Sequence, residues 1–318
     1  MLDPVPGSPQ PSGAAVPRSP ADRPGRLGVG VVGGGRVGAV LGAALRAAGH
    51  AVVGASGVSE ATRERVDVLL PGVPLLEVPE VVRRAELVLL AVPDDALADL
   101  VAGLAATGAW QPGQLVVHTA GRHGVEVLAP ARAAGGIPLA VHPAMTFTGT
   151  SLDLARLVDC CFAVTAPGPV LPVAQALVVE MGGDPVVVAE QDRPLYHAAL
   201  SHGANHLVTL VAQARELLAA AGVAEPGRVL GPLLGASLDG ALRAGDDALT
   251  GPVARGDAGT LETHRAALAE HARRSGSQEV SATHRALARA TAERALARGR
   301  LSPEAAARML ALLADDPS

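Results

Sequence analysis

The sequence predicts an α/β domain with a mostly parallel sheet, followed by an all-α domain. Three observations predict it. Strand-length apolar runs alternate with helical patterns from Leu27 to about residue 190. A glycine-rich turn separates the first run from the first helix. After Glu190 only helical patterns remain.

Residues 1–25 are dominated by Pro, Gly, Ser and Ala without periodic apolar positions, the composition of a disordered tail. Leu27 to Val32 is a strand-length apolar run, and Ala39 to Gly49 is a helix closed by glycine. His50 to Ala55 gives a second strand and completes a βαβ unit. Leu87 to Val92 is continuously apolar, as a strand buried on both faces should be. Pro93 ends it, and Asp94-Asp95 suit the N-terminus of the next helix. Leu115 to His118 and Pro138 to His142 are two more strands; Cys161 to Thr165 and Pro185 to Val188 flank a helix from about Leu171 to Met181. Beyond Glu190, Arg193 to Ala221 reads as one long helix, with further helices near Pro226–Arg243, Asp257–Ser275, Ser281–Arg298 and Pro303–Ala314. The expected domains are therefore 26–190 and 191–318.

Gly33, Gly35 and Gly38 match G-x-G-x-x-G, with Gly34, Arg36 and Val37 completing the loop. The first glycine allows a tight turn, the second lets backbone approach a pyrophosphate, and the third lets helix and strand pack closely. The helix N-terminus then faces the negative charge. Between a strand and a helix, this turn makes the sheet Rossmann-type and predicts a dinucleotide ligand. An NAD site wants a carboxylate at the end of the second strand. Here Gly54-Ala55-Ser56-Gly57 stands there, with no carboxylate until Glu60. Ser56 and Arg63, with Ser59, Thr62 and Arg65 nearby, suit a 2′-phosphate, so NADP is expected over NAD. Val92 and Pro93 follow the strand that passes under the nicotinamide side and are expected to touch it through backbone.

Two strand ends carry polar clusters, and ligands of open α/β sheets lie beyond such ends. One is His118-Thr119, expected at the cofactor; the other begins at His142 and includes Met145 and Thr146, expected at a substrate. On the long helix, His197, Ser201 and Asn205 share one stripe at α-helical spacing. Asn205 there would hold a substrate oxygen, and His197, Ser201 or His142 would relay a proton. Thr250 and Arg255 stand in a loop before a helix capped by Asp257 and are candidate carboxylate anchors. The histidines show no compact metal-ligand spacing, so no metal is expected.

Composition excludes several classes. Aromatic residues make up 1% of the chain and the net charge is −5, which argues against nucleic-acid or acidic-membrane partners. No lysine occurs, so no Schiff base or lysine acid is available. Cys160 and Cys161 are adjacent and do not staple a fold. Cys160 to Val179 is uncharged, but Pro167, Gly168, Pro169 and Pro172 forbid one continuous spanning helix. With no basic-then-apolar opening, the expected location is the cytoplasm.

The glycine loop with Val31-Val32, His142 to Phe147, Tyr196 to Ala199 with Ser201, Asn205 and His206, and Thr250 to Asp257 together resemble a bacterial family. That family joins a Rossmann-like domain to a C-terminal helical domain of unknown function. In layout it is similar to pyrroline-5-carboxylate reductase, 6-phosphogluconate dehydrogenase and ketopantoate reductase. The resemblance implies an interdomain cleft for substrate and a homodimer formed through the helical domains. It implies NADP-dependent reduction of a small 2-oxo acid, with ketopantoate as the pattern. Two alternatives stand beside it: reduction of a cyclic imine, and a cofactor-binding sensor or scaffold without chemistry. The sequence departs from the sugar-acid and ketopantoate patterns at one place. Where those enzymes carry a lysine four residues before an asparagine, Ser201 precedes Asn205.

Overall fold

The computed structural model describes residues 26–314, so the segment expected to be a tail lies outside the described residues. The described residues divide into two compact units, with the division between Ser201 and His202.

In the first unit the strands are β1 (Gly28–Val32), β2 (Ala51–Ala55), β3 (Leu87–Leu90), β4 (Leu115–His118), β5 (Ile137–Pro143), β6 (Cys161–Thr165) and β7 (Asp184–Val187). They form one sheet in the order β2-β1-β3-β4-β5-β6-β7. Neighbours pair in parallel except β5 with β6, which is antiparallel. This is the Rossmann-type, mostly parallel sheet that the apolar runs predict. The helices are α1 (Arg36–Ala48), α2 (Glu60–Leu69), α3 (Val78–Arg84), α4 (Asp94–Ala106), α5 (Ala129–Ala133), α6 (Leu152–Arg156), α7 (Leu171–Glu180) and α8 (Arg193–Leu200).

Strand periodicity divides the core between the two faces of the sheet. Leu87 and Leu89 point to one face, where they pack with Leu41 and Leu45 of α1 and Leu177 of α7. Val88 and Leu90 point to the other, with Val81 and Val82 of α3, Leu97 and Val101 of α4, and Trp110. All four residues of β3 are buried, which is why its run is continuously apolar.

The first unit extends past Glu190 because α8 is anchored in the sheet. Arg193, the first residue of α8, is fully buried and hydrogen-bonds Thr165 and the carbonyls of Ala140 and Ala163. The composition changes at Glu190, but the packing continues to Ser201.

The expected single helix from Arg193 is three pieces. After α8 comes a π-helical turn, Ser201–Asn205, and then α9 (His206–Ala220). Gly203 stands inside that turn. The wider π turn breaks the angular spacing that placed His197, Ser201 and Asn205 on one stripe. The second unit continues with α10 (Pro226–Ala244), α11 (Pro252–Arg255), α12 (Ala258–Ser275), α13 (Glu279–Ala297) and α14 (Pro303–Leu312). Leu261, Ala292, Ala306 and Met309 centre its core. Among the described residues, no helix is long and apolar enough to cross a membrane.

Candidate functional site

A cavity of about 540 Å³ opens where strand order departs from chain order, at the carboxyl ends of β1, β2 and β3. Gly33, Gly34 and Gly35 line it from the loop after β1, Ser56 from the end of β2, Arg63 from α2, and Val92 and Pro93 from the segment after β3. Residues far apart in sequence thus meet in one concavity, of a size that takes a cofactor.

The three motif glycines have distinct causes. Gly33 has φ of +91°, and a Cβ there would lie 2.5 Å from the carbonyl oxygen of Ala91. A Cβ on Gly38 would overlap the carbonyl oxygen of Gly33, so α1 can approach β1 only without a side chain. Gly35 meets nothing within 4 Å of its Cβ position and is only partly exposed. Its backbone faces open space in the cavity, a cradle that any side chain would begin to fill. Gly35 is also the N-cap of α1, with no side chain capping the helix and no acid in its first turn. The free amides of that turn are suited to a diphosphate.

The hydroxyls after β2 also serve local structure. Ser56 is buried, and its Oγ accepts the amide of Gly33 at 3.0 Å. Ser59 caps α2 by accepting the amide of Thr62. Arg63 is exposed and lines the cavity. Arg36 and Arg65 pack against the backbone at Gly149, where a Cβ would stand 2.6 Å from Nε of Arg65 and 2.9 Å from Cγ of Arg36. Among the described residues Arg36, Arg63 and Arg65 form no ion pair. The loop beneath Gly149 is fixed by buried Asp153, which accepts the amides of Thr148 and Gly149. One carboxylate, Glu77, also lines the cavity. It stands before α3, two residues after Leu75, which bridges in parallel to Ala55 at the end of β2, so an acid reaches this end of the sheet from a segment distant in sequence.

A second cluster forms at the ends of β4 and β5. His118 is fully buried; its Nε2 donates to the carbonyl of Gly124 and its Nδ1 accepts the amide of Ala120. Burial pushes its pKa down to about 3, so it is neutral. With both nitrogens engaged it organises the loop after β4 and offers no free edge to a cofactor. Thr119 is half-buried and turns its hydroxyl toward the carbonyl of Leu90.

That loop brings Gly121 against two imidazoles. A Cβ on Gly121 would lie 2.6 Å from Cδ2 of His197 and 3.0 Å from Nε2 of His142. His142 is half-buried at the end of β5, with Nδ1 2.9 Å from the hydroxyl of Tyr196. The His142 and His197 rings meet edge-on, with centroids 6.2 Å apart. Burial, reinforced by Arg193 and His197, holds the pKa of His142 down at about 4. The first unit therefore joins His142 and His197, both expected from sequence, to Tyr196, Gly121 and Arg193, which were not. One signal was available: Tyr196 is a polar aromatic in a chain nearly without aromatics.

Met145 is half-buried and packs against the core, while Thr146 is exposed. Ser201 opens the π turn and exposed Asn205 closes it. In the second unit Thr250 and Arg255 are both exposed, one before α11 and one at its end. Asp257 caps α12 by accepting the amide of Thr260.

Residues 14–143 match the model of a Rossmann-like domain, and residues 160–291 match that of a domain of unknown function, DUF2520. No protein of curated function matches the sequence. Among solved structures, a Bacteroides fragilis protein provisionally described as an NADP oxidoreductase is 21% identical, with a TM-score of 0.69 over 84% of this chain and 98% of its own. An imine reductase from Myxococcus stipitatus in complex with NADP+ is 17% identical, with a TM-score of 0.63 over 89% of this chain and 99% of its own. A reductive aminase from Aspergillus terreus in complex with NADPH and ethyl levulinate is 18% identical, with a TM-score of 0.61 over 90% and 99%. At these identities the likeness is one of fold.

Proposed function

We propose that this chain, which joins a Rossmann-like domain to a DUF2520 domain, is an NADP-dependent reductase of a small carbonyl acid. The observation that carries the reading is the cavity lined by Gly33, Gly34, Gly35, Ser56, Arg63, Val92 and Pro93 at the switch point of the sheet. When bound, the reduced nicotinamide supplies a hydride. The free amides at Gly35 and the first turn of α1 hold the diphosphate. Arg63 favours the extra phosphate of NADP. The fold-level neighbours that hold NADP+ or NADPH are consistent with this choice. The cluster of His142, Tyr196 and His197 meets the substrate.

The first substrate class is a small 2-oxo acid. Reduction of a cyclic imine is the second, favoured by one observation: the chain has no lysine and His142 is neutral, whereas a protonated imine brings its own proton. Purified protein with NADPH, tested on panels of 2-oxo acids and cyclic imines, decides between them. Tight NADPH binding without turnover of either panel would replace both with the sensor reading.

Self-association through the second unit is part of the proposal. Val208 and Leu210 of α9, and Val229, Leu233, Leu238 and Leu242 of α10, are exposed. On α10 these residues occupy two sides of the helix, beside a charged stripe that carries the Asp239–Arg243 ion pair, and exposed apolar faces of this kind call for cover. Both cysteines are free thiols, which fits a reducing cytoplasm.

A further inference from the structure

Tyr196 is the one tyrosine of the chain. Its hydroxyl lies 2.9 Å from Nδ1 of His142, and the two rings meet edge-on at a centroid distance of 5.6 Å. Three residues earlier on the same helix, Arg193 is fully buried. Its Nε donates to Oγ1 of Thr165 and its Nη2 donates to the carbonyls of Ala140 and Ala163. Its Nη1 is buried without a partner, and among the described residues no carboxylate pairs with the guanidinium. A buried cation without a counter-ion is costly, and this one stands on the same helix, three residues before the tyrosine. The other titratable groups around the phenol are His142 on β5, Cys160 and Cys161 at the start of β6, and His197 on its own helix; Glu190 acts on Arg193. His197 contacts the His142 ring edge-on but, among the described residues, its side chain makes no hydrogen bond.

We propose that Tyr196 is the proton donor of the reduction, oriented by His142 and supported by the buried charge of Arg193. The proposal rests on the reductase reading above. Burial lifts the phenol pKa while Arg193 pulls against it, so the phenol is protonated at neutral pH. His142, with a pKa near 4, carries no spare proton to give. In the step, the carbonyl carbon of a 2-oxo acid takes up the hydride, two electrons with one hydrogen, and the nicotinamide is oxidised. The C=O π bond breaks, and its oxygen takes the phenolic proton as the Tyr196 O–H bond breaks. The phenolate forms beside Arg193. It is reprotonated from solvent through the His142 ring, which gives a proton from Nδ1 and accepts one at Nε2.

Because no other tyrosine exists, tyrosinate ultraviolet absorbance reports Tyr196 directly, with or without substrate. Tyr196→Phe should lower kcat for a 2-oxo acid by about 10²-fold or more, leave the NADPH Kd unchanged, and abolish the fall of kcat at high pH. Arg193→Met should move the tyrosinate transition to higher pH, and Arg193→Lys should restore part of that shift; Trp110 fluorescence confirms folding of each. If Arg193→Met does not fold, Arg193→Lys against wild type carries the comparison, with an altered transition expected. Unchanged kcat in Tyr196→Phe, or a tyrosinate transition insensitive to residue 193, overturns the proposal while the reductase reading stands. If the wild type binds NADPH but turns over neither substrate panel, the reductase reading itself falls, and the donor role with it.

Discussion

The hydroxyl of Ser56 accepts the amide of Gly33 at 3.0 Å, and its carbonyl accepts the amide of Gly34 at 2.7 Å. The end of β2 is thus stitched to the turn after β1. Ser56→Ala removes the first of these bonds and leaves a buried amide unpaired. The expected cost is about 1–3 kcal/mol, read as weaker NADPH binding in calorimetric titration and as a lower denaturation midpoint. An unchanged midpoint would mean that the turn holds its shape without the hydroxyl.

Arg63 and Glu77 line the same cavity with opposite charge. Arg63→Ala should weaken NADP binding roughly ten-fold or more and leave NAD binding nearly untouched. Glu77→Gln should improve NADP relative to NAD. Dissociation constants for both cofactors, measured at two salt concentrations, check the pair.

Gly121 has no room for a methyl group beside His197 and His142. Gly121→Ala should displace both imidazoles while leaving the cavity at the glycine loop intact. Misplacement by about 1 Å can cost about 10²-fold in rate. The expected outcome is a fall in kcat with an unchanged Kd for NADPH, and equal losses in both would count against a separate chemical cluster.

Stability should depend on pH through the buried histidines. His118 titrates near 3 and His142 near 4 in the fold, because burial disfavours their charged forms. In the unfolded chain both titrate near about 6.5. Their folded values are depressed, so the stability they contribute is full above the unfolded value and declines as pH falls through the folded values. The unfolding free energy should drop between about pH 6.5 and 4, with a slope of up to about 1.4 kcal/mol per pH unit for each group. Denaturant melts across that range check it, and His118→Gln should flatten the slope.

Leu233 is 62% exposed on α10, beside exposed Val229 one turn earlier. Leu233→Asp should shift the protein from dimer toward monomer in sedimentation velocity without unfolding the second unit. A wild type that sediments as a monomer would remove the self-association proposal.

Much of the sheet was legible because its strands are buried on both faces. Leu87 to Val92, between Glu86 and Pro93, and Leu115 to Val117, between Gln114 and His118, stand out as unbroken apolar runs. The glycine turn was legible because three backbone constraints each forbid a side chain. The partners of the site were less legible. Ser56 looks like a phosphate ligand in sequence, and the sequence does not show that its hydroxyl also accepts the amide of Gly33. His118 looks like a ligand at a strand end, yet its ring turns inward to Gly124 and Ala120. Tyr196 meets His142 only because β5 delivers that histidine from 54 positions away. Such convergence is a property of tertiary packing, and periodicity does not record it.

Arg193 reaches from α8 to carbonyls on β5 and β6. The Rossmann-like match stops at 143 and the helical family match starts at 160. β6 and β7 thus fall in the region that matches the downstream family, while by packing they complete the upstream sheet. A recombination event at Pro143 would separate the sheet from its clasp. One after Ser201 would pass on a whole folding unit, so gene fusion and exchange in such chains should tolerate breaks after α8 far better than breaks after β5.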